Sequence, residues 1–122
     1  MARILLVEDH SDTAKCFSRL LDMTGYQVKV AIDFRSAISL AERERFDLLV
    51  CDIGLPDGSG LDLMRALSSQ YKMPGVAVSG FGMPTDIAEC QAAGFCEHVL
   101  KPTTFEKLKT AIDKCLAGVG SA

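Results

Sequence analysis

Chemistry-bearing side chains stand at the ends of apolar runs in this sequence. Glu8 and Asp9 follow Arg3–Val7 (RILLV), and Asp52 follows Phe46–Cys51 (FDLLVC). Ser79 closes Gly75–Ser79 (GVAVS), and Lys101 follows Glu97–Leu100 (EHVL). An isolated Asp ahead of a loop such as IGLPDGSG usually just starts a turn. Three carboxylates brought together, however, repel one another unless a cation lies among them. Oxygen donors without His or Cys suit a hard ion, and a pair of carboxylates with waters suits Mg²⁺. The backbone carbonyl of Gly54 offers one more oxygen. A hydroxyl (Ser79) and an ammonium (Lys101) facing that group would surround a small tetrahedral anion, as phosphoryl transfer requires. Asp52 is the natural attachment point, a carboxylate that attacks phosphorus and becomes an aspartyl phosphate.

Such convergence needs a scaffold, and the apolar patterns supply one. Strand patterns over Arg3–Val7, Gln27–Ile32, Phe46–Cys51, Gly75–Ser79 and Glu97–Leu100 alternate with helical ones. The helices begin near Ser11, after Asp33 as N-cap, around Leu61, at Thr85, and at a Thr103/Glu106 capping-box spacing. Gly25 and Gly94 close the first and fourth. Alternating βα units predict a doubly wound five-stranded parallel sheet with helices on both faces. All carboxyl ends then share one edge, where such sheets bind ligands. In the order 2-1-3-4-5 the first and third strands are neighbours, so Glu8, Asp9 and Asp52 meet. One domain over residues 1–117 is expected, with 118–122 as a flexible tail.

Composition narrows the class. With 48% hydrophobic and 24% charged residues the chain reads as a soluble globular domain. A net charge of −3 without a basic cluster gives no footprint for nucleic acid or membrane. No apolar stretch reaches membrane-spanning length and no signal-peptide pattern opens the chain, so a cytoplasmic location is expected. Cys16, Cys51, Cys90, Cys96 and Cys115 lack CxxC spacing and read as small buried thiols, without disulfide or zinc.

Four segments, EDH at 8–10, DIGLPDGSG at 52–60, SGFG at 79–82 and KP at 101–102, together resemble the receiver domain of two-component response regulators. The likeness covers Ile4 to about Leu116 and implies a flavodoxin-like receiver fold. It implies that Asp52 takes a phosphoryl group from a kinase phosphohistidine, with Mg²⁺ held by Glu8, Asp9, Asp52 and the Gly54 carbonyl. Ser79 matches the switch hydroxyl, Lys101 the lysine that pairs with the phosphoryl group, and Pro102 the Lys-Pro step often described as cis. Gly80 keeps bulk away from the phosphoryl oxygens. The implied output face comprises the fourth helix, fifth strand and fifth helix, and the resemblance admits a homodimer through it. A histidine kinase or histidine phosphotransfer protein is the implied partner, with no direct nucleic-acid or membrane contact. Such a domain catalyses its own phosphorylation and dephosphorylation and is no enzyme toward a separate substrate.

The sequence also departs from the commonest receiver pattern. His98 stands where many receivers carry a rotating Tyr or Phe; it is either a switch residue or a partly exposed strand histidine. Gly54 replaces a larger side chain, and Phe81 cannot orient a water. Gly94-Phe95 and His98-Val-Leu-Lys-Pro look most like receivers of hybrid histidine kinases, so the chain reads as one of those or as a stand-alone regulator. No output domain is seen, which argues against a direct role in transcription. His10 reads as solvent-facing, Asp57 and Gly58 as turn residues, and Cys51 as a core thiol. Other classes fit less well. A topoisomerase-primase-like site wants an acid where Gly54 stands, a dinucleotide site lacks its glycine fingerprint, and a haloacid-dehalogenase-type phosphatase spaces its acids differently. An unphosphorylated interaction module on the same scaffold usually loses an acid or the lysine, and both are kept here.

Overall fold

A computed structural model describes residues 2–80 and 84–120 of the chain. In chain order the elements are β1 Arg3–Val7, α1 Ser11–Met23, β2 Gln27–Ala31, α2 Phe34–Arg43, β3 Leu48–Asp52, β4 Gly54–Leu55 and β5 Gly58–Ser59. There follow α3 Gly60–Tyr71, β6 Gly75–Ser79, α4 Pro84–Ala93, β7 Phe95–Leu100 and α5 Phe105–Gly120. The main sheet has the order β2-β1-β3-β6-β7, and all its pairs are parallel. That is the expected 2-1-3-4-5 arrangement, with β6 and β7 as its fourth and fifth strands.

The apolar runs become central strands because helices cover both faces. Leu5, Val7, Leu49, Cys51 and Ala77 pack on one side with Ala37, Leu63, Met64, Leu67 and Cys90 from α2, α3 and α4. Ile4, Leu6, Val50, Val76 and Val78 pack on the other with Leu21 of α1 and Leu108 and Ile112 of α5. Each fully buried aliphatic side chain contributes roughly 1.5–3 kcal/mol, and this double burial fixes the strand ends against which the site is built. Asp33 caps α2 as expected, accepting from the Ser36 amide at 2.8 Å in a capping box.

Several local expectations need correction. The N-cap of α5 is Thr104, whose hydroxyl accepts from the Lys107 amide at 3.2 Å, while Thr103 donates to the Thr104 carbonyl. The final helix runs on to Gly120, so residues 118–120 are helical, and 121–122 lie outside the described residues. A two-stranded antiparallel ribbon, β4–β5, fills the loop after Asp52, with Pro56 and Asp57 at its turn. Asp57 does more than turn the chain. Its carboxylate accepts from the Phe34 and Arg35 amides at 2.7 and 3.1 Å, capping the N-terminus of α2 from outside the helix. Cys96 and Cys115 form a disulfide, against the expectation of five thiols; Cys16, Cys51 and Cys90 are free.

The turn into α3 depends on Gly60. Its amide donates to the Ile53 carbonyl at 2.8 Å. A Cβ there would lie 2.6 Å from the Asp52 carbonyl oxygen and 2.8 Å from the Ile53 Cα. Backbone, not a flexible side chain, would have to move. Gly60→Ala is therefore expected to cost about 1–3 kcal/mol, read from urea midpoints. Gly54→Ala, whose Cβ meets nothing within 4 Å, serves as the control. Equal midpoints for the two variants would contradict the packing argument.

Tyr26, just before β2, donates its hydroxyl to Asp113 of α5, which also accepts from Lys109 at 2.7 Å. Burial, then the Asp113 hydrogen bond and charge, push the phenol up to about 12. A raised folded pKa gives a contribution that is complete below the unfolded value near ~10 and is lost as pH climbs toward the folded value. Melting temperature is expected to fall more steeply between those two values for the wild type than for Tyr26→Phe. Parallel curves would contradict it.

Candidate functional site

At the carboxyl edge of the sheet, β1 and β3 lie side by side, with Val7 opposite Cys51. Their next residues deliver the acids. Glu8 is buried, tied by its amide to the Ala31 carbonyl of β2 at 3.0 Å. Asp52, also buried, accepts the Gly54 amide on Oδ1 at 3.0 Å. Lys101, just past β7, donates to Asp52 Oδ2 at 2.7 Å and to Glu8 Oε2 at 3.3 Å. The Lys101 amide donates to the Ser79 carbonyl at 2.7 Å, so the backbone fixes where this side chain starts. The Lys101–Pro102 bond is cis, as the Lys-Pro step suggested.

Ligand atoms from Glu8, Asp9, His10 and Asp52 lie within 4.8 Å of one another. The three expected acids therefore meet, and the donor set of carboxylate oxygens fits a hard divalent ion. His10 is an addition that sequence reasoning did not place in the group. It is solvent-facing as expected, but its Nδ1 lies 2.7 Å from Glu8 Oε1 and 3.4 Å from Asp9 Oδ1. The Glu8 hydrogen bond, then the Asp9 and Glu8 charges, raise its pKa. An E-D-H triplet at a strand end was the available signal.

Charge balance falls to Lys101. Burial works against its ammonium, yet the Asp52 hydrogen bond and then the Glu8 and Asp52 charges outweigh it and raise the pKa. The ammonium is thus a permanent counter-charge for two buried carboxylates. Cys51, beside Asp52, points into the core as expected. Burial, reinforced by Asp52 and Glu8, pushes its thiol up, and it stays a protonated donor to the Asp52 carbonyl.

Ser79 ends β6 buried at the same edge, one residue beyond Val78, the sheet neighbour of Asp52. Gly80 is exposed, and among the described residues a Cβ there would meet nothing within 4 Å. His98 faces the α4 side with Ala77 as its sheet neighbour; it is half-buried, and its Nε2 is shielded with no hydrogen-bond partner among the described residues. Phe81 lies outside the described residues. A cleft of about 780 Å³ opens beside the acids between α1 and the start of α5, walled by Leu6, Val50, Val78, Phe17 and Leu108.

The parallel sheet thus carries an acid cluster and a lysine together at its carboxyl edge. The comparison with known sequences is specific: residues 4–113 match the response regulator receiver domain, and the chain belongs to that family. It is 35% identical over 115 residues to the two-component response regulator PhoP of Pseudomonas aeruginosa, covering 93% of this chain and 51% of that protein. It is 31% identical over 118 residues to an uncharacterized 14.6 kDa protein of Leptolyngbya boryana, covering 93% of this chain and 90% of the other. The chain thus spans about half of the first relative and nearly all of the second. The fold superposes on the chemotaxis response regulator CheY4 of Vibrio cholerae with TM-score 0.89 at 30% identity, covering 95% and 99% of the two chains. Among the described residues no helix is long and apolar enough to cross a membrane.

Proposed function

We propose that the chain is a phosphoacceptor in a two-component phosphorelay, with Asp52 as the acceptor. The observation that carries this is the convergence of Glu8, Asp9 and Asp52 with an ammonium 2.7 Å from the acceptor carboxylate. Asp52 attacks the phosphorus of a kinase or phosphotransfer-protein phosphohistidine; a P–O bond forms, the P–N bond breaks, and the imidazole keeps the leaving electron pair. Glu8, Asp9 and Asp52 carboxylates with the Gly54 carbonyl would hold Mg²⁺, which neutralises the charge gathered on the transferring group. Lys101 turns from the carboxylate to the phosphoryl oxygens, and Ser79 approaches them from β6. The phosphoryl transfer to Asp52 and the later hydrolysis of the acyl phosphate, which releases inorganic phosphate and the free carboxylate, are both catalysed by the domain itself.

Drawing Ser79 inward biases the packing of α4, β7 and α5 and presents that face to the next component, a population shift. His98, with its unpartnered Nε2 on the α4 side of β7, is the candidate moving ring. Two of the named relatives, PhoP and CheY4, are response regulators, which favours a regulator over the receiver of a hybrid histidine kinase. A homodimer through the α4–β7–α5 face is the assembly this reading allows, with no nucleic acid engaged by the domain itself and a cytoplasmic setting. The unphosphorylated interaction module is the weaker reading because acceptor, acids and lysine are all in place.

Beryllofluoride, a stable phosphoryl mimic, tests the reading when added with Mg²⁺ and followed by amide chemical shifts. Shifts are expected around Asp52 and at Ser79, spreading to β7 and α5. Ser79→Ala should keep the changes near Asp52 and lose most of those on β7 and α5. Shifts confined to surface residues in the wild type would contradict the acceptor site, and full shifts in Ser79→Ala would remove Ser79 from the coupling.

A further inference from the structure

Cys96 and Cys115 take no part in the chemistry around Asp52. Along the β6–β7 pairing Gly75 sits opposite Phe95 and Val76 opposite Glu97, which leaves Cys96 as the extra residue of a bulge. Bulges re-aim a side chain. Here the Cys96 sulfur reaches across to Cys115 on the buried face of α5, with the two Cα atoms 6.0 Å apart, inside the span a disulfide tolerates. The two ends differ in access, since Cys96 is exposed and Cys115 is buried. The closed loop contains most of β7, Lys101 with Pro102, and most of α5.

We propose that Cys96–Cys115 is a redox-reversible clamp that fastens α5 to the edge strand β7, opened and closed by exchange with small-molecule thiols and disulfides. Exchange proceeds by thiolate attack on a disulfide sulfur, and Cys96, the exposed residue of the pair, is the end open to approach. In opening, an external thiolate attacks Cys96 Sγ, the S–S bond breaks, and Cys115 leaves as a thiolate and takes a proton. A second thiolate then attacks the external sulfur of the mixed disulfide, freeing the Cys96 thiol and one small-molecule disulfide. Closing is the reverse, consuming one small-molecule disulfide and releasing two thiols. With the clamp closed, α5 is bonded to β7; with it open, that half of the helix is held by the packing of Ala111, Ile112 and Leu116 and by the Tyr26–Asp113 hydrogen bond, which reaches α5 from beside β2 rather than from β7. That the clamp also restrains output rests on the proposed role of the α4–β7–α5 face; the thiol chemistry does not.

The test uses the full chain with Cys16→Ser, which removes the exposed free thiol. The protein is equilibrated in mixtures of reduced and oxidised glutathione, quenched, alkylated unfolded and weighed intact. The two thiols are expected to disappear together as the mixture is made more oxidising, and to return under excess reduced glutathione. Amide exchange within 105–116 should slow by about tenfold in the closed form. Adding Cys96→Ser, a change at an exposed position, should abolish both effects. Thiols that stay alkylatable in the most oxidising mixture, a bond that excess glutathione leaves intact, or exchange rates indifferent to redox state would each overturn the clamp. Acetyl phosphate on the same samples separates the two readings, because phosphoryl uptake requires Asp52 and not the sulfurs.

Discussion

Asp52→Asn is expected to take up no phosphoryl group from acetyl phosphate and Mg²⁺ while remaining folded. The amide keeps the shape of the carboxylate and can still accept from the Gly54 amide on its oxygen. What it lacks is the anionic oxygen that attacks phosphorus, so the acyl phosphate cannot form. Loss below about 10⁻³ of the wild-type rate is expected, since positioning and charge neutralisation act only on a competent nucleophile. Lys101 keeps Glu8 at 3.3 Å and is partly exposed to water, so losing its Asp52 partner should move stability little. Time courses of intact mass give the rate and melting gives the fold. Uptake by Asp52→Asn at a wild-type rate would place the acceptor elsewhere, with Asp9 the first carboxylate to examine.

Lys101→Ala is expected to slow uptake by about 10²-fold, the usual scale for losing one preorganised charge on developing phosphoryl oxygens. The ammonium already sits 2.7 Å from the attacking carboxylate and needs little movement to follow the group that bonds there. Lys101→Arg should recover little, because a broad planar guanidinium does not replace a compact ammonium. Removing the cation leaves Glu8 and Asp52 uncompensated, so affinity for Mg²⁺ should hold or rise while uptake falls. That split is the discriminating readout. A parallel fall in metal affinity and uptake would mean that Lys101 merely holds the fold of the acid cluster.

Most of this arrangement was legible because buried strands announce themselves. β3 and β6 are buried along their whole length, and a run such as LLVCD followed by a Gly/Pro loop marks both the strand and its functional end. Once the order of strands is granted, Glu8, Asp9, Asp52, Ser79 and Lys101 have one edge to share. The less legible parts are those without a period. β7 starts at Phe95, two residues earlier than its pattern suggests, because the bulge at Cys96 breaks the alternation. The β4–β5 ribbon consists of two-residue strands, too short for periodicity to register. The Thr103/Glu106 spacing pointed one residue early for the α5 cap, since the Lys107 amide donates to Thr104 instead. The reach of Asp57 to α2 and the meeting of Cys96 with Cys115 are tertiary facts that no local spacing encodes.

The central claim, that the acids and lysine at this edge make Asp52 an acceptor, is tested most directly by weighing the intact wild-type protein after acetyl phosphate. One aliquot contains Mg²⁺, a second contains a chelator, and a third is treated with hydroxylamine after loading. The account predicts one added phosphoryl group that needs Mg²⁺ and that hydroxylamine removes, as an acyl phosphate requires. No added group from a folded protein, or one that forms without metal and survives hydroxylamine, would contradict it.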